Sequence, residues 1–201
     1  MIKAIIFDFG NVVFKTDWDK MHEEFSKKYN IRTSLSENKE FEEVYHKTNA
    51  GYDTTIPLLK HMLPNEDINE VLKFYQETYI KYKILNKELM NLIKKLKETY
   101  LIYGFTDTNR EHFDANEKDG LFKNFKRVFT SFEFQGRKSQ GADIFHKLLK
   151  EINLPADELL FIDDNLPNIE NARKAGLNAI QYTDFPDIAR LKKDLKNLIK
   201  I

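Results

Sequence analysis

The chain has 201 residues, with 32 basic and 32 acidic side chains and no cysteine. The charge balance argues against a dedicated nucleic-acid binder, and the lack of cysteine excludes disulfides, zinc–thiolate sites, iron–sulfur clusters and a thiol nucleophile. Apolar residues make up 41% and aromatic residues 13%, which excludes the disordered class and supports one domain, or one domain with a sizeable insertion.

The first part of the chain predicts one strand followed by a helical segment. Residues 2–9 form a nearly continuous apolar run with β-branched side chains, which is typical of a strand buried on both faces. From about residue 15 to residue 85 the pattern predicts helices and no strand. The four predicted helices cover residues 18–29, 37–47, 54–62 and 67–83.

After Asn86 the sequence predicts alternating helices and strands. The predicted helices cover residues 87–98, 142–152, 168–174 and 187–201, and the predicted strands cover residues 100–105, 127–132, 158–162 and 178–182. This alternation favours βαβ units and therefore an α/β fold with a doubly wound parallel sheet. We expect one α/β domain that is interrupted, just after its first strand, by an all-helical insertion.

Polar residues follow four of the predicted strands. In open α/β sheets the ligand site lies beyond the carboxyl ends of the strands, so these side chains are expected to converge. Clustered carboxylates cannot all ionise unless a cation lies among them, and hard oxygen ligands without cysteine favour Mg²⁺. The converging residues are Asp8, Thr106, Lys138, Asp163 and Asp164.

The order of these motifs resembles the haloacid dehalogenase-like hydrolase superfamily, in the branch with a helical cap inserted after the first motif. The resemblance covers essentially the whole chain and implies a Rossmann-like core of residues 1–14 and 86–201 with a cap of residues 15–85. The residues that carry it are 7–13 (FDFGNVV), Thr106, Asp107, Lys138, Asp163 and Asp164, followed by Asn168, Ala172 and Gly176 at the family's spacing.

The resemblance implies a phosphoryl-transfer mechanism. Asp8 would attack phosphorus and form an aspartyl-phosphate. The Asp8 carboxylate, the Gly10 backbone carbonyl and Asp164 would hold Mg²⁺, with Asp163 acting through water. The Thr106 hydroxyl and the Asp107 backbone N–H would hold a phosphate oxygen, while Lys138 would neutralise charge on Asp8 and on the phosphoryl group.

The chain departs from the family's pattern at two positions. Phosphatases of this superfamily usually carry a second Asp, the general acid and base, where this chain has Gly10. A subgroup that includes sugar-1-phosphate phosphatases also has Asp-x-Gly-Asn, so this chain resembles that subgroup. The second departure is Asp107, where the family commonly has Asn, and the sequence does not say whether its carboxylate points toward a bound phosphate.

The Gly10 departure leads to a hypothesis about substrates. Substrates are expected to be small phosphomonoesters, chiefly sugar phosphates, whose leaving group needs little protonation, such as anomeric, acyl or aryl phosphates. The five histidines lack paired ligand spacing and are predicted to be surface or packing residues. His22 is a candidate substitute proton donor, and Trp18, Tyr45, Asn49 and Tyr52 are cap candidates for contacts with a polyol.

Two other functions stay open at this stage. A 2-haloacid dehalogenase shares the Asp nucleophile and also lacks the second Asp, but its chemistry uses no metal and its fourth motif is neutral where this chain has Asp163 and Asp164. The second possibility is a catalytically weak member of the family that binds a phosphorylated ligand or a partner protein. Gly10 and Asp107 favour it, whereas the intact Asp8, Lys138 and acidic pair oppose it.

Composition also leads to expectations about partners and location. No apolar run approaches the roughly 20 residues that span a bilayer, and the apolar stretch at the amino terminus is too short for the core of a signal peptide. We therefore expect a cytoplasmic protein, a monomer or weak homodimer, that binds a small phosphorylated metabolite and neither nucleic acid nor membrane.

Overall fold

The computed structural model describes residues 1–31, 39–52 and 54–200. Its strands, in chain order, are β1 (Ala4–Phe7), β2 (Phe14–Thr16), β3 (Lys83–Leu85), β4 (Leu101–Thr106), β5 (Arg127–Thr130), β6 (Leu159–Asp163) and β7 (Asn178–Gln181). Its helices are α1 (Trp18–Lys28), α2 (Lys39–Asn49), α3 (Ile56–Met62), α4 (Ile68–Lys81), α5 (Lys87–Leu96), α6 (Arg110–Lys118), α7 (Ser131–Phe134), α8 (Asp143–Ile152), α9 (Leu166–Lys174) and α10 (Ala189–Lys196).

Five strands form a parallel sheet in the order β5–β4–β1–β6–β7. The central strand β1 is fully buried, because its alternate side chains enter two separate apolar layers. Ile5 and Phe7 pack into one layer with α5 and α10, and Ala4 and Ile6 pack into the other with α8 and α9. The predicted α/β fold with a doubly wound parallel sheet is therefore confirmed.

The segment between residues 15 and 85 contains the four predicted helices, but the prediction that it has no strand was wrong. Strands β2 and β3 pair in an antiparallel ribbon, with Phe14 opposite Leu85 and Thr16 opposite Lys83. Each strand has three residues, which is too short to show an alternating pattern. Residue 37, the predicted start of α2, lies outside the described residues.

Helix α6 was not predicted at all. It begins after Asn109, whose side-chain oxygen accepts a hydrogen bond from the His112 backbone N–H at 2.8 Å. Its buried side chains include Glu111, His112 and Asn116, so its inner face carries no apolar stripe. The periodicity that normally reveals a helix is absent, because α6 packs on α4 largely through polar and ring contacts.

Polar contacts join the helical segment to the sheet domain. The buried Thr55 hydroxyl donates to Glu111 Oε2 at 3.1 Å, and the Gln76 side chain donates to the Glu111 carbonyl at 2.9 Å. The buried Ser131 hydroxyl donates to the Asn49 carbonyl. These contacts hold α2, the start of α3 and α4 against residues that follow the carboxyl ends of β4 and β5. Within the described ranges, no helix combines the length and apolar character needed to cross a membrane.

Gly104 in β4 allows the Phe9 ring to lie against the sheet. A Cβ at position 104 would come within 2.4 Å of Phe9 Cε2. We therefore expect Gly104→Ala to lower the free energy of unfolding by about 1–3 kcal/mol, through overpacking. Gly136→Ala is the matched control, since its Cβ would have no neighbour closer than 3.9 Å. Equal denaturation midpoints for the two variants would contradict this expectation.

Candidate active site

Lys138 lies at the centre of the polar edge of the sheet. It follows β5, and its side chain is almost completely buried. The ammonium donates to Asp8 Oδ1 at 2.6 Å, to Asp163 Oδ2 at 2.7 Å and to the Phe105 carbonyl at 3.2 Å. All three of its protons are used, so the lysine is fixed between the strand ends rather than free to move with solvent.

Three carboxyl groups, those of Asp8, Asp163 and Asp164, lie around the Lys138 ammonium. Burial raises the pKa of Asp8 well above its usual value, and Asp163 and Asp164 add to this effect, although the Lys138 ammonium opposes it. Burial alone would lower the pKa of Lys138, but Asp163 and Asp8 raise it above its usual value. Lys138 is therefore charged, and it is the one ammonium among three neighbouring carboxyl groups of the described residues.

The two acids that follow β6 occupy different environments. Asp163 is fully buried and accepts hydrogen bonds from Lys138, from the Asn168 amide at 3.0 Å to each oxygen, and from the Asn165 backbone N–H at 2.8 Å. Asp164 is half-buried and accepts one bond from the Asn11 amide at 3.0 Å. Asp163 is therefore held by hydrogen bonds inside the protein, whereas Asp164 lines the cavity at this edge of the sheet.

The carboxylates fit a divalent cation. One oxygen from each of Asp8, Asp163 and Asp164 lies within 4.8 Å of the others, and burial raises the pKa of Asp164 as well as that of Asp8. Carboxylate oxygens are the donors that Mg²⁺ prefers, and a bound cation would favour the ionised form of these carboxyl groups. Gly10, whose backbone carbonyl is the other predicted ligand, lines the same cavity.

A cavity of about 210 Å³ opens at this point. It brings six of the seven predicted site residues together, whereas Asp163 lies behind the cavity wall and supports Lys138. The six are Asp8, Gly10, Thr106, Asp107, Lys138 and Asp164, and the remaining lining residues are Asn11, Arg137, Ser139, Asn165 and Asn168.

The structure settles where the Asp107 carboxylate points. Its two oxygens accept the backbone N–H of Lys138 at 3.2 and 3.3 Å, and one lies 3.8 Å from Arg137 Nε. Burial raises the pKa of Asp107, while Lys138 and Arg137 oppose this shift. The carboxylate therefore holds the loop that carries Lys138.

Several asparagines position the acids and the Lys138 backbone; Asn11 and Asn168 were named from the sequence as parts of the family motifs, but without a role. Asn11 adopts a left-handed backbone conformation, with φ of 56°, which asparagine tolerates better than most residues. Its amide thereby reaches Asp164. Asn171 donates to the Lys138 carbonyl at 3.0 Å. The spacing of Asn165 and Asn168 at the start of α9 is a capping pattern that could have pointed to Asn165.

A second, smaller cavity of about 80 Å³ adjoins the first and shares Gly10, Thr106 and Asp107 with it. His22, the candidate substitute proton donor, lines neither cavity and lies against Trp18. His112 does line the second cavity, and burial lowers its pKa to about 3, so its imidazole is neutral near pH 7.

Among the four cap candidates, Trp18 lines the second cavity. The Asn49 carbonyl accepts the Ser131 hydroxyl, and the Tyr52 hydroxyl donates to the Gln135 carbonyl at 3.3 Å, so both join the helical segment to the sheet domain. The side chain of Tyr45 lies outside the described parts of the chain.

Comparison with known proteins assigns the family. The sequence model of the haloacid dehalogenase-like hydrolases matches residues 2–176, and the chain belongs to this family of hydrolases. Among curated proteins, it is 25% identical over 205 residues to the drimenol cyclase drtB of Aspergillus calidoustus, a match that covers 94% of this chain. The chain spans only 36% of the length of that relative.

Solved structures share the fold. A HAD family enzyme from Bacteroides thetaiotaomicron, solved as a magnesium complex, is 20% identical and superposes with a TM-score of 0.78 over 96% of this chain and 98% of that one. The same enzyme is also known in complex with magnesium and inorganic phosphate. A predicted HAD-like hydrolase from Porphyromonas gingivalis, 18% identical, gives a TM-score of 0.76 over 99% and 100% of the two chains.

Proposed function

We propose that this protein is a Mg²⁺-dependent phosphomonoester hydrolase that uses Asp8 as its nucleophile. The observation that carries the proposal is the buried Lys138 ammonium, which joins Asp8 to Asp163 at 2.6 and 2.7 Å beside a 210 Å³ cavity. A fixed cation next to a carboxylate nucleophile suits an anionic substrate, because it offsets the charge of both. The magnesium and phosphate complex of the Bacteroides enzyme supports the same function.

Asp8, Asp164 and the Gly10 carbonyl would hold the magnesium ion, with Asp163 supporting the site from behind. When bound, the ion stabilises negative charge on the transferring phosphoryl group. An Asp8 oxygen attacks phosphorus, the bond from phosphorus to the leaving oxygen breaks, and the leaving group takes a proton from solvent. Water then cleaves the aspartyl-phosphate, which restores Asp8 and releases phosphate.

The remaining residues of the site bind and orient the phosphate. Lys138 is held in place by three acceptors and therefore stays charged beside the attacking oxygen. The Thr106 hydroxyl and the Asp107 backbone N–H lie on the cavity wall, where they suit a phosphate oxygen. The Asp107 carboxylate is engaged with the Lys138 backbone, so it does not compete for this position.

Gly10 supports a preference for leaving groups that need little protonation. Its position offers no side-chain acid, and the neutral His112 is not a proton donor to an alkoxide near pH 7. Anomeric sugar phosphates, acyl phosphates and aryl phosphates meet this condition. Residues 8–11 have the sequence Asp-x-Gly-Asn, which supports membership of the subgroup that includes sugar-1-phosphate phosphatases.

Residues 15–85 are proposed as a cap that excludes water and supplies specificity. The polar contacts of Thr55, Gln76 and Asn49 with the sheet domain support this role. We further propose a small phosphorylated metabolite as the substrate, a cytoplasmic location, and a monomer or weak homodimer.

The test is phosphate release from four esters, with Mg²⁺ and with a chelator. The panel contains p-nitrophenyl phosphate, acetyl phosphate, glucose 1-phosphate and glucose 6-phosphate. We expect release only with Mg²⁺, and faster release from the 1-phosphate than from the 6-phosphate. Halide release from 2-chloropropionate without metal, with no phosphate release, would instead identify a dehalogenase.

Asp164→Asn tests the metal ligand within the same assay. Because it removes one charged ligand, the Mg²⁺ concentration for half-maximal activity should rise at least ~10-fold. Asp157→Asn is the matched control, since Asp157 is exposed at the opposite end of β6, and it should behave as the wild type. An unchanged magnesium requirement in Asp164→Asn would remove Asp164 from the proposed ligand set.

A further inference from the structure

The second cavity has an aromatic lining. It lies between the first loop of the sheet domain, the start of α1, α4 and α6, and it is separate from the phosphate-facing cavity except at Gly10, Thr106 and Asp107. Six of its lining residues contribute aromatic rings. They are Phe9, Phe14, Trp18, Tyr79, Phe113 and Phe122.

The rings are fixed against one another. Phe9 meets Phe122 edge-on with ring centroids 5.2 Å apart, and Phe14 meets Tyr79 in the same way at 6.2 Å. The His112 imidazole stacks on Tyr79 at 3.9 Å and lies 5.6 Å from Trp18. The wall is therefore preformed and presents both ring faces and ring edges.

The Asn116 side chain, one of the polar groups of this lining, already has partners inside the protein. The Asn116 amide donates to the Tyr79 hydroxyl at 3.0 Å and accepts from Lys83 at 3.1 Å. Of the described residues that line the cavity, Asp107 carries the one charge, and its carboxylate is bound to the Lys138 backbone. A buried sugar hydroxyl without a partner costs roughly 1–3 kcal/mol, so this lining disfavours a polyol.

The size of the cavity limits what enters. Its volume of about 80 Å³ is roughly half that of the ~150 Å³ apolar cavity known to bind benzene in another protein. Further space lies over Gly10, where a Cβ would have no neighbour within 4 Å. From these volumes we expect a single ring to lie partly in the cavity and partly over Gly10, and a second fused ring to exceed this space.

We propose that the aromatic cavity receives the leaving group, and that the preferred substrates are phosphate esters of a flat apolar group no larger than one six-membered ring. This inference rests on the proposed function, because it takes the adjoining cavity as the phosphate site. Within the class of esters that need little protonation, it selects aryl esters over sugar esters. Trp18, which is 37% exposed at the edge of the cavity, is the specificity-determining residue.

The test compares phenyl phosphate, 1-naphthyl phosphate and glucose 1-phosphate, with acetyl phosphate as the reference that does not fill the cavity. Naphthol is a stronger acid than phenol, so leaving-group chemistry alone favours the naphthyl ester. The cavity predicts the reverse, with kcat/KM for phenyl phosphate about 10-fold above both of the other esters.

Trp18→Ala and Tyr52→Ala form the matched pair of variants, because both remove an aromatic side chain from the helical segment and Tyr52 lies outside the cavity. Trp18→Ala should lower kcat/KM for phenyl phosphate about 10-fold and leave acetyl phosphate within about twofold. Tyr52→Ala should leave the ratio of the two substrates unchanged.

The outcomes separate this inference from the proposed function. Hydrolysis of acetyl phosphate with no phenyl preference, or equal effects of the two variants, overturns the inference alone. If no ester is hydrolysed, the proposed function fails. Calorimetric titration of phosphonates in the presence of Mg²⁺ then tests whether the aromatic cavity binds a ring. Phenylphosphonate should then bind about 10-fold tighter than methylphosphonate, and this difference should disappear in Trp18→Ala. Equal binding of the two phosphonates overturns the inference.

Discussion

Replacing Asp8 with asparagine is expected to lower the rate of phosphate release at least ~1,000-fold, because a neutral amide oxygen cannot replace the proposed carboxylate nucleophile. The fold should survive, since the asparagine Oδ1 can still accept the Lys138 hydrogen bond and Lys138 keeps Asp163 at 2.7 Å. Burial already disfavours the charged form of Asp8 and raises its pKa, so a neutral amide of nearly the same size should be tolerated at this position.

Titration of Mg²⁺ into Asp8→Asn and Asp164→Asn distinguishes the loss of the proposed nucleophile from the loss of a proposed metal ligand. Higher Mg²⁺ should restore most of the activity of Asp164→Asn, because that variant has lost affinity for the ion. Higher Mg²⁺ should not restore the activity of Asp8→Asn, which lacks the oxygen proposed to attack phosphorus. Phosphate release by Asp8→Asn within 10-fold of the wild type, at matched thermal stability, would assign the nucleophile to another residue.

Gly10→Asp should increase turnover of alkyl phosphates by about 100-fold, since general acid–base catalysis typically contributes 100- to 10,000-fold. The new side chain has room, because nothing lies within 4 Å of a Cβ at this position. Position 10 lines both cavities, so the carboxyl group would lie between the phosphate and the leaving group. The backbone carbonyl proposed as a metal ligand is retained.

Gly10→Asn is the control for Gly10→Asp, because it has nearly the same size and no acidic proton. The gain should be large for glucose 6-phosphate and small for p-nitrophenyl phosphate, whose leaving group departs without a proton. The ratio of kcat values for these two esters is the measurement. Equal gains for both esters, or the same gain in Gly10→Asn, would refute a role in proton transfer.

The sheet and the polar edge of the site followed from the sequence because both depend on local pattern. Runs such as residues 2–9 are apolar enough to indicate strands buried on both faces, and parallel strands bring Asp8, Lys138 and Asp164 to one edge. The four helices of the inserted segment were also predicted, to within a few residues at their ends.

The elements that were missed depend on tertiary contacts. Helix α6 buries Glu111 and His112 rather than an apolar stripe, and β2 and β3 are three-residue strands that pair with each other. The aromatic cavity was likewise hidden, because its lining comes from five separate parts of the chain that include Phe9, Trp18 and Phe122. The orientation of Asp107 depends on one backbone N–H, that of Lys138, 31 residues away.

The β2–β3 ribbon brings the two ends of the inserted segment close together. The Asp17 backbone N–H donates to the Tyr82 carbonyl at 3.0 Å, and the Asn86 N–H donates to the Val13 carbonyl at 2.9 Å. The chain therefore leaves and re-enters the sheet domain at one place, and insertions are best tolerated where their ends are already close. Residues 18–81 can consequently be lengthened or exchanged during evolution without changing the strand order, so the inserted segment can vary while the polar edge of the sheet stays the same.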